Sequence, residues 1–170
     1  LLVMFAFMAN VAMAQSSEVQ NASTNNRYTQ QYIDEAKSTQ KESKIEKAMS
    51  NAKIYLQKAK TAIDKASQHE KTMNDAKTWH YYGVIYLKIA NYPEFNALDN
   101  EALEKSEAAL LKVNELDPEY FMDNQQEIMS YFNSIGINYF NQGGKAYEAK
   151  DYKKAIDCYK KSYETMTIEK

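Results

Sequence analysis

Trp79, Tyr82, Gly83 and Tyr86 are spaced so that all four fall on one face of an α-helix. A second helical stretch follows, with Ser106, Leu110 and Val113 on its inner face, and it stops at Leu116-Asp117-Pro118. The pattern asks for two helices crossing closely. A large aromatic fills the contact, Gly83 admits the neighbouring backbone, and the small Ser106 stands on the partner helix. The chain has only 4 Gly and 2 Pro among 170 residues, a scarcity that favours long helices over a turn-rich β fold. With 44% apolar residues it can bury a core.

Other stretches obey the same period. Ile45, Ala48, Met49, Ala52, Leu56, Ala59, Ile63 and Ala66 recur at helical spacing and predict a strong amphipathic helix over about 44–68. Ser43-Lys44-Ile45-Glu46 has the form of a capping box at its start. Asn74 or Asp75 caps the Trp79 helix, expected over 76–90. Asn91 to Asn96, with Pro93, reads as a loop, and a helix is expected over 98–115. Asp123 to Gln126 offers a further cap, and one long helix is expected from there to Ala149. Asp151-Tyr152 makes a turn before a last helix with Ala155, Tyr159 and Ser162 facing inward.

Large aromatic, Gly, small partner residue and terminal Pro118 together resemble a tetratricopeptide repeat. The likeness is clearest over 76–118, with Trp79, Tyr82, Gly83, Tyr86, Ser106, Leu110, Val113 and Pro118. It returns over 138–163, with Tyr139, Gly143, Ala146, Ala155, Tyr159 and Ser162. It is partial over 44–70. Gln142 stands where the family usually has Leu, and Ala146 where it usually has Tyr, so looser packing is expected there. The resemblance implies an all-α fold, a right-handed stack of antiparallel helix pairs forming a solenoid. It also implies protein–protein interaction through a concave groove lined by the first helix of each pair. By position the groove residues are Lys77, His80, Tyr81, Val84, Leu87 and Lys88, then Ile137, Phe140, Asn141, Gly144, Tyr147 and Glu148. Some chaperone-binding members grip a C-terminal carboxylate with Lys and Asn; His80 and Val84 occupy those places here, so that specificity is not implied.

The N-terminal stretch is of another kind. Leu1 to Met8 is an apolar run, and Ala12-Met13-Ala14 supplies the small residues a signal peptidase accepts. Residues 1–14 are therefore read as a secretory signal peptide lacking its charged n-region, cleaved after Ala14. No Cys follows the cleavage point, so lipid attachment is not indicated, and a periplasmic or secreted chain is expected. The apolar run is too short and mixed to span a bilayer securely, so no stable membrane insertion of the mature chain is expected. Gln15 to Asn26 reads as a flexible polar leader. Within 15–40 only Tyr28, Tyr32, Ile33 and Ala36 hint at a short helix. The helical domain is placed at 41–170, and its end at Thr167-Ile168-Glu169-Lys170 carries no polar capping helix, so the array is expected to be cut short there.

The net charge of −2 argues against a general nucleic-acid binder. Residues 37–77 are basic and 78–138 acidic, which reads as solvated helix surface. His69 and His80 lack the converging partners a metal site needs, and no metal or cofactor is expected. Cys158 stands alone and reads as a packing residue. Glu101, Glu104 and Glu107 lie along one strip, not across a cleft as a glycosidase pair must. Gly143-Gly144 lacks a following Lys-Ser/Thr and reads as close helix packing, not a phosphate loop. No catalytic constellation emerges, and no enzyme is expected. The leading expectation is an exported interaction scaffold for a protein or peptide partner. The alternative is a helical solute-binding protein that holds glycans or peptides on its tyrosine-rich face, among 14 Tyr in all.

Overall fold

The computed structural model describes residues 2–168, with side chains described from Ser17 onward. Every regular element among them is helical: α1 (Leu2–Lys37), α2 (Glu42–Gln68), α3 (Ala76–Asn91), a 3-10 helix (Pro93–Leu98), α4 (Ala102–Leu116), α5 (Pro118–Asp123), α6 (Gln125–Glu148) and α7 (Tyr152–Met166). The chain is all-α. None of the helices is long and apolar enough to cross a membrane among the described residues.

The first difference from the sequence reading is α1. The supposed leader is helical, and from Ser17 onward its side chains pack. Val19, Ala22, Thr29, Ile33 and Ala36 form its buried face. That face is hard to see because several of its members are small or polar. Thr29 hides its hydroxyl by donating to the Asn25 carbonyl at 2.9 Å. The face lies on α2, whose Ala48, Ala52, Leu56, Ala59, Ile63 and Ala66 are buried. Tyr28 and Tyr32 both pack against Tyr55, with ring centroids 5.1 and 5.5 Å apart. The side chains of the expected signal segment, Leu1 to Ala14, lie outside the described residues.

Helix ends follow short-range chemistry, with two corrections, the first being that Asn124, in the Asp123–Gln126 stretch expected to cap α6, makes no side-chain cap bond there. Asp75, Asp117 and Asp151 cap α3, α5 and α7 by accepting from the amides of Lys77, Tyr120 and Lys154. The Ser43–Glu46 capping box does not form. The Lys41 carbonyl accepts from the amides of Lys44 and Ile45, so α2 starts before Ser43, and its N-cap has no side-chain bond. At the end of α6, Lys150 turns left-handed (φ 63°), the Lys150 amide donates to Tyr147 and the Asp151 amide to Ala146. This is a Schellman stop built without glycine. The expected loop after α3 contains the 3-10 helix, pinned by the fully buried Phe95.

Three antiparallel pairs result. Glu18 meets Lys65 while Tyr28 meets Tyr55, so α1 and α2 run oppositely. Trp79 meets Lys112 while Tyr86 meets Lys105, giving α3 and α4 the same relation. A Cβ on Gly136 would meet Met166 and one on Gly143 would meet Tyr159, which sets α6 against α7. The 3-10 helix and α5 are connectors. Contacts between α2 and α3, and from α3 and α4 to α6, join the pairs. One core cluster, with Ile33, Leu56, Ile63, Ile85, Tyr86 and Phe95, joins the first pair to α3. The other, with Leu87, Leu103, Leu110, Phe132, Ile135 and Tyr139, joins the middle pair to α6.

Candidate docking surface

The Trp79 face is a packed ladder. Trp79 and Tyr82 ring centroids are 5.4 Å apart, and Tyr82 stacks on Tyr86 at 4.2 Å. The ladder is tied at both ends. Trp79 Nε1 donates to the Met73 carbonyl at 2.7 Å, and the Tyr86 hydroxyl donates to Asp64 at 2.7 Å. A Cβ built on Gly83 would lie 2.6 Å from Leu110 Cγ, and Ser106 Oγ donates to the Gly83 carbonyl at 2.8 Å. Gly83, Tyr86, Ser106, Leu110 and Val113 are buried, whereas Pro118 opens α5 at the surface.

The groove positions of α3 are mostly covered, which corrects their expected exposure. His80 is buried, with Nδ1 3.0 Å from the Tyr120 hydroxyl and its ring against Tyr120 and Tyr131. Burial pulls its pKa below the ordinary histidine value, against a weaker upward pull from Glu127, so the imidazole is neutral at pH 7. The Tyr120 hydroxyl is pushed up to about 12, first by burial. Leu87 is 3% exposed and belongs to the core shared with α6. Lys88 turns toward α1, where Nζ donates to Asn26 Oδ1 at 2.8 Å. Desolvation lowers its pKa to about 8, with Asp34 opposing. Tyr81 and Val84 are half-buried; Lys77 alone of the six is exposed. The physical reason is that α1 and α5–α6 lie on either side of α3 and take the space a groove would need.

On α6 the reverse holds. Ile137, Phe140, Asn141, Tyr147 and Glu148 are exposed. Phe140 leans on Tyr159 (5.3 Å) and Tyr147 on Tyr152 (5.5 Å), so the stripe continues onto α7. There Tyr152, Ile156 and Tyr163 are more than half exposed. These α7 residues were missed by the sequence reading, which treated α7 only through its inner face of Ala155, Tyr159 and Ser162. The missed signal is periodic: Tyr152, Ile156, Tyr159 and Tyr163 form a second apolar stripe beside the first.

A second missed feature is the repeat register in α6. Phe132, Ile135, Gly136 and Tyr139 reproduce the spacing of Trp79, Tyr82, Gly83 and Tyr86, two helical turns ahead of the expected Gly143 alignment. Phe132, Ile135 and Tyr139 are buried against the middle pair, and the Tyr139 hydroxyl donates to Glu107 at 2.9 Å. Two glycines of α6 lie at close contacts. A Cβ on Gly136 would meet Met166 at 2.5 Å, and one on Gly143 would meet Tyr159 at 2.7 Å. Gly144 was also read as close packing, yet a Cβ there would meet nothing within 4 Å. In this register Leu87 corresponds to Phe140 and Val84 to Ile137. Ala146 is buried and Gln142 exposed.

The remaining chemistry is dispersed. Cys158 is a free thiol buried on the inner face of α7. His69 accepts only from the Lys71 amide, at 3.3 Å, and lies apart from His80. Among the described residues no group of three or more His, Cys, Asp or Glu is placed to hold a metal ion. A hollow of about 580 Å³ between α1 and α2 is lined by Glu18, Asn21, Asn25, Gln57, Thr61 and Lys65 among others, with no aromatic ring. The tyrosine-rich face and this polar hollow are thus different places. No family model, curated protein or solved structure matches the chain.

Proposed function

We propose that this chain is a non-enzymatic protein-interaction module, a right-handed stack of helix pairs of the tetratricopeptide type. Its docking surface is the open face of α6 and α7. One observation carries the reading: Phe140, Tyr147, Tyr152, Ile156 and Tyr163 lie exposed on one continuous face, while Leu87, which matches Phe140 in the middle pair, is buried. Large exposed rings without a packing role are what interface anchors are made of, and a few such anchors dominate affinity. Asn141 and Glu148 supply a polar rim beside them. The docking surface of the proposal therefore keeps the α6 part of the expected groove, leaves out the α3 part and extends onto α7.

We further propose export, on the strength of Ala12-Met13-Ala14 after an apolar run. N-terminal sequencing of the exported protein is expected to begin at Gln15; a mature protein that retains Leu1 to Met8 contradicts it. The docking reading is tested with a Phe140→Ala, Tyr147→Ala double variant. Helicity is expected to stay intact while proteins cross-linked to the wild-type chain in its native cells are lost. Retention of the same proteins at wild-type yield rejects the face as the docking surface.

A further inference from the structure

We propose that the occupant of this face is a second copy of the same chain, its α7 lying antiparallel to α7 about a two-fold axis near Tyr159. The inference rests on reading the face as a docking surface, and it names what docks.

The molecule itself shows what covers such a face. Leu87 of α3, together with Leu103 and Leu110 of α4, is buried beneath α6. Their counterparts in the Gly136 register are Phe140, Tyr159 and Met166; Phe140 and Met166 are exposed and Tyr159 is half-buried, with no further helix over them among the described residues. What fits is therefore another amphipathic helix presenting large apolar side chains, and α7 is such a helix. Its outer stripe is Tyr152, Ile156, Tyr159 and Tyr163, and the last three, with Lys160 and Glu164, line a shallow groove of about 350 Å³. Ile137, Phe140, Tyr147, Tyr152, Ile156 and Tyr163 each leave roughly 100 Å² exposed, given about 150–250 Å² for a buried aromatic. Their total of about 600 Å² reaches the largest patch of a typical monomer. With Tyr159 and Met166 added it approaches the ~800 Å² each partner buries in an ordinary stable interface.

Charge selects a copy in the reversed direction. Lys153, Lys160 and Glu164 follow one edge of the stripe, with Asp157 just behind them, by helical spacing. All four are exposed, and none makes an ion pair among the described residues. Turned antiparallel about Tyr159, a second α7 sets Lys153 opposite the copy's Glu164 and Lys160 opposite its Asp157. Stripe residues then meet in kind, Ile156 against Tyr163 and Tyr159 against Tyr159. A parallel copy would instead carry the two charged edges to opposite sides of the interface, where Lys153 and Lys160 do not meet the acids of the copy's matching edge. A two-fold interface needs one patch that complements itself, and this edge does so only when reversed.

Sedimentation equilibrium of the full chain from about 1 to 100 µM tests this, the upper end covering a weak dimer. Twice the chain mass is expected. Tyr163→Ser should weaken the dimer by tenfold or more, as expected for a central aromatic anchor. Lys153→Glu, an exposed change that spares the fold, should weaken it about fivefold or more by like-charge apposition. The decisive variant is the double Lys153→Glu, Glu164→Lys, which restores the pairing with signs exchanged and should recover dimerisation. A monomer throughout the range overturns the second copy; the docking reading then stands or falls by the separate cross-linking test above. A dimer indifferent to Tyr163→Ser and to the charge exchange overturns the assignment of this face.

Discussion

The middle and last helix pairs are built on one plan and meet different surroundings. In each, glycines of the first helix admit the second helix: Gly83 beneath Leu110, and Gly136 and Gly143 beneath Met166 and Tyr159. The middle pair is enclosed, by the first pair through the Ile85–Tyr86 cluster and by α6 through the Leu87–Phe132 cluster. Among the described residues the last pair is enclosed on one side. Corresponding positions therefore do opposite jobs. Leu87 is 3% exposed and Phe140 is 58% exposed, although both follow the same aromatic–glycine–aromatic pattern by the same step. A repeat motif specifies what a helix packs against within its own pair. It does not specify whether the outward face becomes core or contact surface.

The largest expected effect breaks the enclosed pair. Gly83→Leu should cost about 3 kcal/mol or more, at the upper end of overpacking, because the fully buried Leu110 side chain has nowhere to retreat. Gly136→Ala should cost far less, since the two nearest atoms in its way belong to flexible, partly exposed Met166 and the Ser162 carbonyl stands off at 3.2 Å. Equal losses of Tm in the two variants would mean the pairs are not packed differently. Next in size, Leu87→Ala should cost about 2–4 kcal/mol in urea unfolding and Phe140→Ala less than about 1 kcal/mol. A reversed order would falsify the exposure contrast.

One pH effect belongs to the enclosed side. Burial holds the Lys88 pKa at about 8, below its unfolded value near 10.5. Between those values the unfolded chain binds more protons, so stability rises with pH. Between pH 8 and 9.5, before the tyrosines ionise in the unfolded chain, the gain should be about 1–2 kcal/mol. Lys88→Met should flatten that slope; a slope unchanged in the variant assigns the effect to another group. Smallest of all, Gly144→Ala should stabilise by about 0.5–1 kcal/mol, since its Cβ meets open space and a helix interior favours Ala. A loss of Tm there would reveal a neighbour on the open side.

Much of the helical order was legible because it depends on neighbours in sequence. The Trp79 ladder, the α2 face, and the caps at Asp75 and Asp151 are set by spacing and by one side chain reaching the next turn. The Ser43 cap failed because the helix starts two residues earlier, where the Lys41 carbonyl already accepts from the Lys44 and Ile45 amides. The α1 face escaped because Ala22 and Thr29 carry little hydrophobic signal, yet small residues are what let α1 lie close on α2. The register in α6 was ambiguous because Gly136 and Gly143 are separated by two helical turns and share a face. Both make close contacts, so neither spacing was false.

The sequence alone determined that this chain is helical, where the α2 and α3 faces run, and that Gly83 and Gly143 meet a neighbouring helix. Those features follow from the 3.6-residue period and from the absence of a Cβ, and both are local. Tertiary structure alone decided which apolar stripes became core. His80 and Leu87 were covered while Phe140 and Tyr163 were left open, though nothing in their residue types distinguishes a buried ring or aliphatic chain from an exposed one. Burial depends on which helix arrives from elsewhere in the chain: α6 comes to rest on the middle pair, and no described helix comes to rest on α7.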